Sequence, residues 1–231
     1  MWPFSKRYSI ANSGILENYT DWHSHLLPGV DDGVQTIDES LQILSSYEQH
    51  RVKVVWLTPH VMEDIPNATA FLRMRFEELK SAYKGPIILR LASENMLDCL
   101  FEQRLQQGDL LPIGKEGKHL LVETSYFNPP YGFHNILLRI KSKGYVPVLA
   151  HPERYNYMSK ADYEQLRHLN VAFQLNLPSL AGAYGPVVKR KAQWLLENMY
   201  YQFTGNDIHS LQSWESISHK KQIPQDTLHK L

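Results

Sequence analysis

The stretch HLLVETSYFNPPYGFHNILLRIKSKGYVPVLAHPER (119–154) carries the reading from which the fold follows. It opens on an apolar run, HLLVE (119–123), and reaches a second, YVPVLA (145–150). Between them Ile136, Leu137 and Ile140 keep the three-to-four spacing of a helix face, and Gly144 stands where that helix should stop. Strand, helix and strand in this order, with strands apolar on both faces, is the pattern of a βαβ unit in a buried parallel sheet.

The same alternation extends in both directions. VKVVWLT (52–58) and PIILRLA (86–92) lie upstream, VAFQLN (171–176) and YYQFT (200–204) downstream, and a first strand is expected through 19–23. Helical spacing separates them: Ile37, Leu41, Leu44 and Tyr47; Phe71, Met74, Phe76 and Leu79; Tyr163, Leu166 and Leu169; Val187, Val188, Ala192 and Leu195. Thr36 and Asn67 occupy expected N-cap positions, and Gly85 an expected stop. About seven strand–helix pairs favour a (β/α) barrel, with a doubly wound open sheet as the alternative. Residues 1–20 read as an arm or poorly structured lead-in, and 21–231 as one domain, since no internal repeat, low-complexity tract or linker divides them.

Composition narrows the function. The 231 residues are 43% hydrophobic and 21% charged, which excludes disorder, collagen and coiled coil. Lys plus Arg equals Asp plus Glu at 24 each, so no overall field draws the chain to nucleic acid or an anionic membrane, and an anionic substrate must be held by local charge. No run of about 18 apolar residues exists, and charges at Lys6, Arg7 and Glu17 interrupt the N-terminus before a signal-like core develops. A single cysteine, Cys99, can form no internal disulfide, and a cytoplasmic location is expected.

Polar residues collect at the strand ends. Asp21, His23 and His25 lie at the first, Thr58 and His60 at the second, Glu94 at the third and Glu123 at the fourth. His151, Glu153 and Arg154 follow the fifth, Asn176 ends the sixth, and Asp207 and His209 follow the last. In a barrel these positions share one rim, the face where such folds place their chemistry. Several carboxylates cannot ionise at close range without cations, and imidazole with carboxylate but no thiolate suits first-row divalent metals. His23 and His25, one residue apart, point the same way from an extended strand and can share an ion; Asp207 and His209 repeat that spacing. So many ligands imply two or three ions with bridging carboxylates. Asp32, beside a DG turn, is a further candidate for a ligand or base.

Arg154 is the fixed positive charge among these groups, suited to a phosphate or carboxylate. The segment YFNPPYG (126–132) offers Tyr126, Phe127 and Tyr131 as stacking faces in a rigid lid. His50, His119, His134, His168, His219 and His229 fall off the rim and read as structural or surface groups. Cys99 is not a thiol-phosphatase nucleophile, because Leu105 stands where its C-x5-R loop would need arginine.

DWHSHLLPGVDDG (21–33), TPH (58–60), SEN around Glu94, LVETS (121–125), AHPERY (150–155) and GNDIH (205–209) occur in an order that resembles the PHP (polymerase and histidinol phosphatase) superfamily of metallophosphoesterases. More narrowly, the chain is similar to bacterial PHP-type protein-tyrosine phosphatases linked to capsular and exopolysaccharide synthesis. The resemblance covers Asp21 to His209. It implies a distorted (β/α)7 TIM-like barrel (PHP fold) with three divalent metals, usually manganese, with iron, cobalt or zinc in various relatives. The implied ligands are His23, His25, Asp32, His60, Glu94, Glu123, His151, Asp207 and His209, with Arg154 binding phosphate. The chain departs from some relatives at Ser210–Trp214, which lack an arginine they carry after the final histidine, and at Asn206.

The expected reaction is hydrolysis of phosphotyrosine in a protein, expected from the family likeness to be a bacterial tyrosine-kinase tail, by in-line attack of a metal-bridging hydroxide. Asp32 or His209 could protonate the departing phenolate, as could a metal-held water. A phosphatase of the histidinol-phosphate type is the alternative, and a phosphotyrosine-binding module without turnover a further one.

Overall fold

The computed structural model describes residues 6–231. Its strands are β1 (Arg7–Tyr8), β2 (Thr20–Ser24), β3 (Val54–Leu57), β4 (His60–Val61), β5 (Ile88–Leu91), β6 (Glu94–Met96), β7 (His119–Glu123), β8 (Val146–Ala150), β9 (Ala172–Asn176), β10 (Tyr201–Gly205) and β11 (Ile223–Pro224). The helices are α1 (Ile37–Gln49), α2 (Thr69–Ala82), α3 (Cys99–Gln107), α4 (Phe133–Ser142), α5 (Lys160–His168), α6 (Leu177–Leu180), α7 (Gly185–Glu197), α8 (Leu211–Ser218) and α9 (Gln225–Leu228).

Two parallel sheets, ordered β2-β3-β5 and β10-β9-β8-β7-β6-β4, together make seven barrel positions. The second and third positions are each interrupted: β3 continues as β4, and β5 as β6. The interruption follows from Pro59, which has no N–H to give a ladder. Around it Ala92 N donates to Leu57 O at 2.9 Å, Ser93 N turns away to Leu111 O, and Glu94 N returns to Pro59 O at 3.0 Å. His60 and Glu94 therefore sit on short strands of their own, paired with each other, rather than just beyond long ones. The first and last positions meet where Asp207 N donates to His23 O at 2.8 Å and His25 N to Ile208 O at 3.0 Å.

Alternation along each strand divides the core. Leu121, Val148 and Ala150 pack inside with Trp56, Ala92 and Ile113, while Trp22 stacks on Trp56 at 5.6 Å between centroids. The intervening Leu120, Val122, Leu149 and Phe173 face outward onto α4 and α5, whose Ile136, Leu137, Ile140, Tyr163 and Leu166 cover them. Because side chains alternate with period two, Glu123 stands on the inward face, above Leu121.

Thr36 caps α1 as expected, accepting from Glu39 N at 3.2 Å. Asn67 does not cap α2: that helix starts after Ala68, and Asn67 Nδ2 instead donates to Val30 O at 2.8 Å and His60 O at 2.9 Å. The face expected of α2 holds in part: Leu79 is buried and Phe76 packs against the core, but Leu72 is buried where Phe71 and Met74 are exposed.

The expectation of a poorly structured lead-in does not hold for residues 6–19. β1 pairs antiparallel with β11, and Ile10 and Leu16 are buried in the same core as Tyr47 and Trp214. Their burial explains the weak periodicity of the segment: it is held by isolated apolar anchors, not by a regular face. Residues 1–5 lie outside the described ones. No helix among the described residues is long and apolar enough to cross a membrane.

Candidate metal centre

All nine residues expected as ligands converge at one end of the barrel. Four overlapping groups each bring their donor atoms within 4.8 Å of one another: His25, Asp32, His60 and His209; His23, His25 and Asp207; His23, Glu94 and His151; and His60, Glu94 and Glu123. Glu94 is shared between two of them and sits at the middle. Its Oε2 is 3.1 Å from His23 Nε2, 3.3 Å from His25 Nε2 and 3.2 Å from His60 Nδ1, and its Oε1 is 3.0 Å from His151 Nε2. His23 and His25, on the same side of their strand, bring their Nε2 atoms to 3.1 Å.

The local backbone is built for this approach. His151 and Asp207 adopt left-handed conformations, with φ of 34° and 52°, which few residues without a glycine's freedom take up. Gly205 lies so near the first strand that a Cβ there would stand 2.5 Å from His23 Cβ, and one on Gly33 would stand 2.4 Å from His25 O.

A second layer orients the rings. Nδ1–H of His25 donates to Asp31 Oδ2 at 2.8 Å, and that carboxylate also accepts from His60 N at 3.0 Å and Gly33 N at 2.9 Å. Nδ1–H of His23 donates to Gln174 Oε1 at 2.8 Å. Fixing one ring nitrogen in this way aims the other at the centre. Of the DDG turn, then, the Asp31 side chain is buried and faces inward as an orienting group, while the exposed Asp32 reaches across to His60 and His209 at 3.5 and 3.6 Å. Gln174 and Asp31 had no clear signal beyond their closeness to a strand end and to HxH.

Arg154 donates through Nη1 to Asp207 Oδ2 at 2.6 Å, and Asn176 Nδ2 donates to the same oxygen at 2.9 Å. The guanidinium lies between two aromatic rings, 4.5 Å from the centroid of Tyr126 and 4.3 Å from that of Tyr184. Tyr126 thus lines the site as expected. Phe127 and Tyr131 do not: they are 72% and 104% exposed and stand outside the cleft. The second aromatic face comes from Tyr184, which lies far along the chain and carried no motif. Glu153, also at the rim, turns into the interior, where it accepts from Asn176 N and Tyr201 OH at 3.0 Å each. Asp21 likewise faces inward, accepting from Asn206 N at 2.9 Å and Tyr47 OH at 2.9 Å.

The electrostatics call for cations. Burial disfavours charge on His23, but Glu94 and Asp207 outweigh it and push its pKa up to about 9. His25 is raised well above the usual imidazole range against the same burial penalty, through Asp31, Asp207 and Glu94. Glu94 and Asp207, though buried, are held well below the carboxylate range, in both cases chiefly by His23. His209 behaves oppositely: burial and then His25 lower it to about 4, leaving a neutral ring. His60 Nδ1, Glu94 Oε2, Glu123 Oε1 and His151 Nδ1 are buried with no hydrogen-bond partner among the described residues. His60 Nδ1 does lie 2.9 Å from Glu123 Oε1, but without hydrogen-bond alignment. Buried acceptors left unpaired in a cluster are costly, and nitrogen and oxygen donors without thiolate suit divalent first-row metals. The residues present fit such ions, and their number fits more than one.

At the cluster opens a cleft of about 1040 Å³, whose lining includes His60, Glu123, His151, Arg154, Asp207 and His209. His219, read from the sequence as structural or surface, lines it too.

Comparison with known proteins gives the family and the fold. Residues 19–217 match the family described as capsular polysaccharide synthesis, CpsB/CapC. Tyrosine-protein phosphatase YwqE of Bacillus subtilis is 28% identical over 200 residues, spanning 84% of this chain and 78% of that protein. Tyrosine-protein phosphatase CpsB of Streptococcus agalactiae is 27% identical over 210 residues, 83% of each chain. Among solved structures, one from the work on YwqE of Bacillus subtilis and CpsB of Streptococcus pneumoniae, described as metal-dependent tyrosine phosphatases, superposes with a TM-score of 0.78 at 23% identity. It covers 91% of this chain and 84% of that one, and the likeness carries the fold.

Proposed function

The chain belongs to the CpsB/CapC family of capsular polysaccharide synthesis, and from that premise we propose that it is a metal-dependent protein-tyrosine phosphatase. The observation that carries the reading is the convergence of nine imidazole and carboxylate side chains beside the clamped Arg154. We assign His23, His25, Asp32, His60, Glu94, Glu123, His151, Asp207 and His209 as ligands of three divalent cations, manganese first among the candidates. The substrate is a phosphotyrosine protein of capsule or exopolysaccharide regulation, with a bacterial tyrosine-kinase tail as the expected partner. A cytoplasmic setting accords with the single cysteine.

Bound divalent cations supply neutralising charge and a water acidic enough to ionise near neutral pH. The chain's own residues do the rest. Asp31 and Gln174 keep the rings of His25 and His23 aimed inward. Arg154 presents a planar guanidinium to a non-bridging phosphoryl oxygen, a contact that strengthens as charge builds during in-line attack. Tyr126 and Tyr184 hold that guanidinium in plane and wall the path of the substrate ring. Tyrosinate is a poor leaving group, since its conjugate acid has a pKa of about 10. Asp32 and His209, whose side chains are the most exposed of the nine, at 67% and 30%, border the cleft from which a proton must reach it; His209, neutral near pH 7, can only relay a proton that it takes up from water.

Phosphate release from a phosphotyrosine peptide, measured before chelation, after it and after manganese is returned, tests the reading. Loss on chelation and recovery with manganese is expected. Unchanged turnover after chelation overturns the metal assignment, and a tenfold preference for histidinol phosphate over the peptide overturns the substrate.

A further inference from the structure

The cleft is larger than one phosphotyrosine ring fills. Its volume of about 1040 Å³ reaches the upper end of the roughly 300–1,000 Å³ of pockets that enclose a whole drug-sized molecule. Its acidic lining residues, Asp32, Glu123 and Asp207, all belong to the ligand set. Apart from these the lining has a different character where the chain after His209 contributes to it: Ser213, Ser216 and Ile217 of α8, then His219 and Lys220, with Ala181 and Ala183 also on the lining.

Two further cations are tied to the segment that follows Lys220. Lys189 Nζ donates to Gln222 O at 2.7 Å, two residues past Lys220. Arg7 lies opposite Pro224 in the β1–β11 pair, and Gln222 N donates to Tyr8 O at 3.1 Å. A Cβ on Gly182, between the two cleft-lining alanines, would stand 3.5 Å from Gln222 Oε1 and 3.6 Å from Lys189 Cδ, so the same loop touches the group. Partial burial and then Arg7 and Lys220 lower the Lys189 ammonium, which marks the three as electrostatic neighbours. None of the ion pairs among the described residues engages Lys220, Lys189 or Arg7. In a chain with equal numbers of acidic and basic residues, such a concentration of uncompensated positive charge beside an open groove is a local feature that favours an anionic partner.

We propose that the part of the cleft lined by α8, His219 and Lys220 receives the residues flanking the phosphotyrosine, and that Lys220, supported by Lys189 and Arg7, selects a substrate segment with acidic side chains there. The inference rests on the phosphatase reading and adds a sequence preference to it.

The test uses the full chain with manganese and two phosphotyrosine peptides that differ only in glutamate or glutamine at the flanking positions. A preference of about fivefold in kcat/KM for the glutamate peptide is expected at low salt, shrinking toward one in 0.5 M salt as screening grows. Lys220→Glu should abolish or invert it, and Lys220→Gln should reduce it. A damaged fold lowers turnover of both peptides alike and leaves their ratio intact. A wild-type ratio of one, or a ratio untouched by both variants, overturns the subsite while p-nitrophenyl phosphate turnover keeps the phosphatase reading standing. Should no substrate release phosphate, that reading falls, and binding of the same peptides, followed by fluorescence anisotropy, decides the subsite: tighter glutamate-peptide binding that Lys220→Glu removes supports it, and equal binding ends it.

Discussion

The Arg154 guanidinium and the Asp207 carboxylate are joined at 2.6 Å through Oδ2, while Oδ1 of the same carboxylate faces His25 Nε2 at 3.3 Å and His23 Nε2 at 3.5 Å. One side chain thus connects the guanidinium to the imidazole and carboxylate cluster. A movement of the arginine is felt by that carboxylate, whose charge in turn holds the arginine.

Arg154→Ala should lower kcat about 10²–10³-fold, the range seen when a donor aimed at developing charge is removed. Lys should not restore it, because an ammonium lacks the planar fork. Tyr184→Ala should raise KM for phosphotyrosine roughly two- to fivefold, as expected from loss of one cation–π contact, whereas Tyr184→Phe retains the ring and should stay near wild type. Steady-state kinetics on the four variants check both statements; a Tyr184→Phe variant as impaired as the alanine one would shift the role from the ring to the hydroxyl.

Asp31→Asn removes the carboxylate that holds His25 Nδ1 at 2.8 Å but leaves every assigned ligand in place. Manganese affinity should fall roughly 10–100-fold, the usual cost of losing such a partner. Competition against a chelator of known affinity measures it. An unchanged constant would mean that the ring needs no support.

The cation-free protein should lose stability on the alkaline side. His23 has a folded pKa of about 9, above its unfolded value of about 6.5. Its contribution is therefore complete below about 6.5 and disappears as pH rises through about 9. Asp31 is depressed to about 2, despite burial, chiefly by His25, so its contribution is lost only as pH falls through that value. Thermal unfolding of chelated protein should show a lower Tm at pH 9.5 than at pH 6.5. Manganese should narrow the difference, since the carboxylates are then compensated by metal instead of protons. Equal Tm values without metal would contradict the charge balance described for the cluster.

Gly205→Ala places a methyl group 2.5 Å from His23 Cβ and 2.9 Å from Gln174 Nε2. Overpacking of this kind costs about 1–3 kcal/mol, and here it pushes on a ligand and its orienting amide together. Tm should fall and phosphate release should drop more steeply than stability alone explains. Gly108→Ala, a control in a left-handed turn with open space around it, should destabilise while leaving kcat of the folded fraction unchanged.

The convergence of these nine imidazole and carboxylate residues was legible in the chain because it depends on short-range rules. An apolar run fixes a strand, period-two alternation fixes which side chains share a face, and parallel strands joined by helices deliver all their C-terminal ends to one rim. His23 with His25 needed nothing more, whereas Asp207 and His209 lie past the end of β10, with Asp207 in a left-handed turn that spacing alone does not reveal. What the chain order left open depended on closure of the ring. Gln174 reaches His23 across 151 positions, and Tyr184 meets Arg154 only because α6 turns the chain back over the rim. The choice between Asp31 and Asp32 hung on which carboxylate the turn buries, and the fate of Ile10 and Leu16 on a core assembled from distant elements. Local periodicity sets the direction in which a side chain points; which partner it meets is set by long-range packing, and that required the tertiary structure.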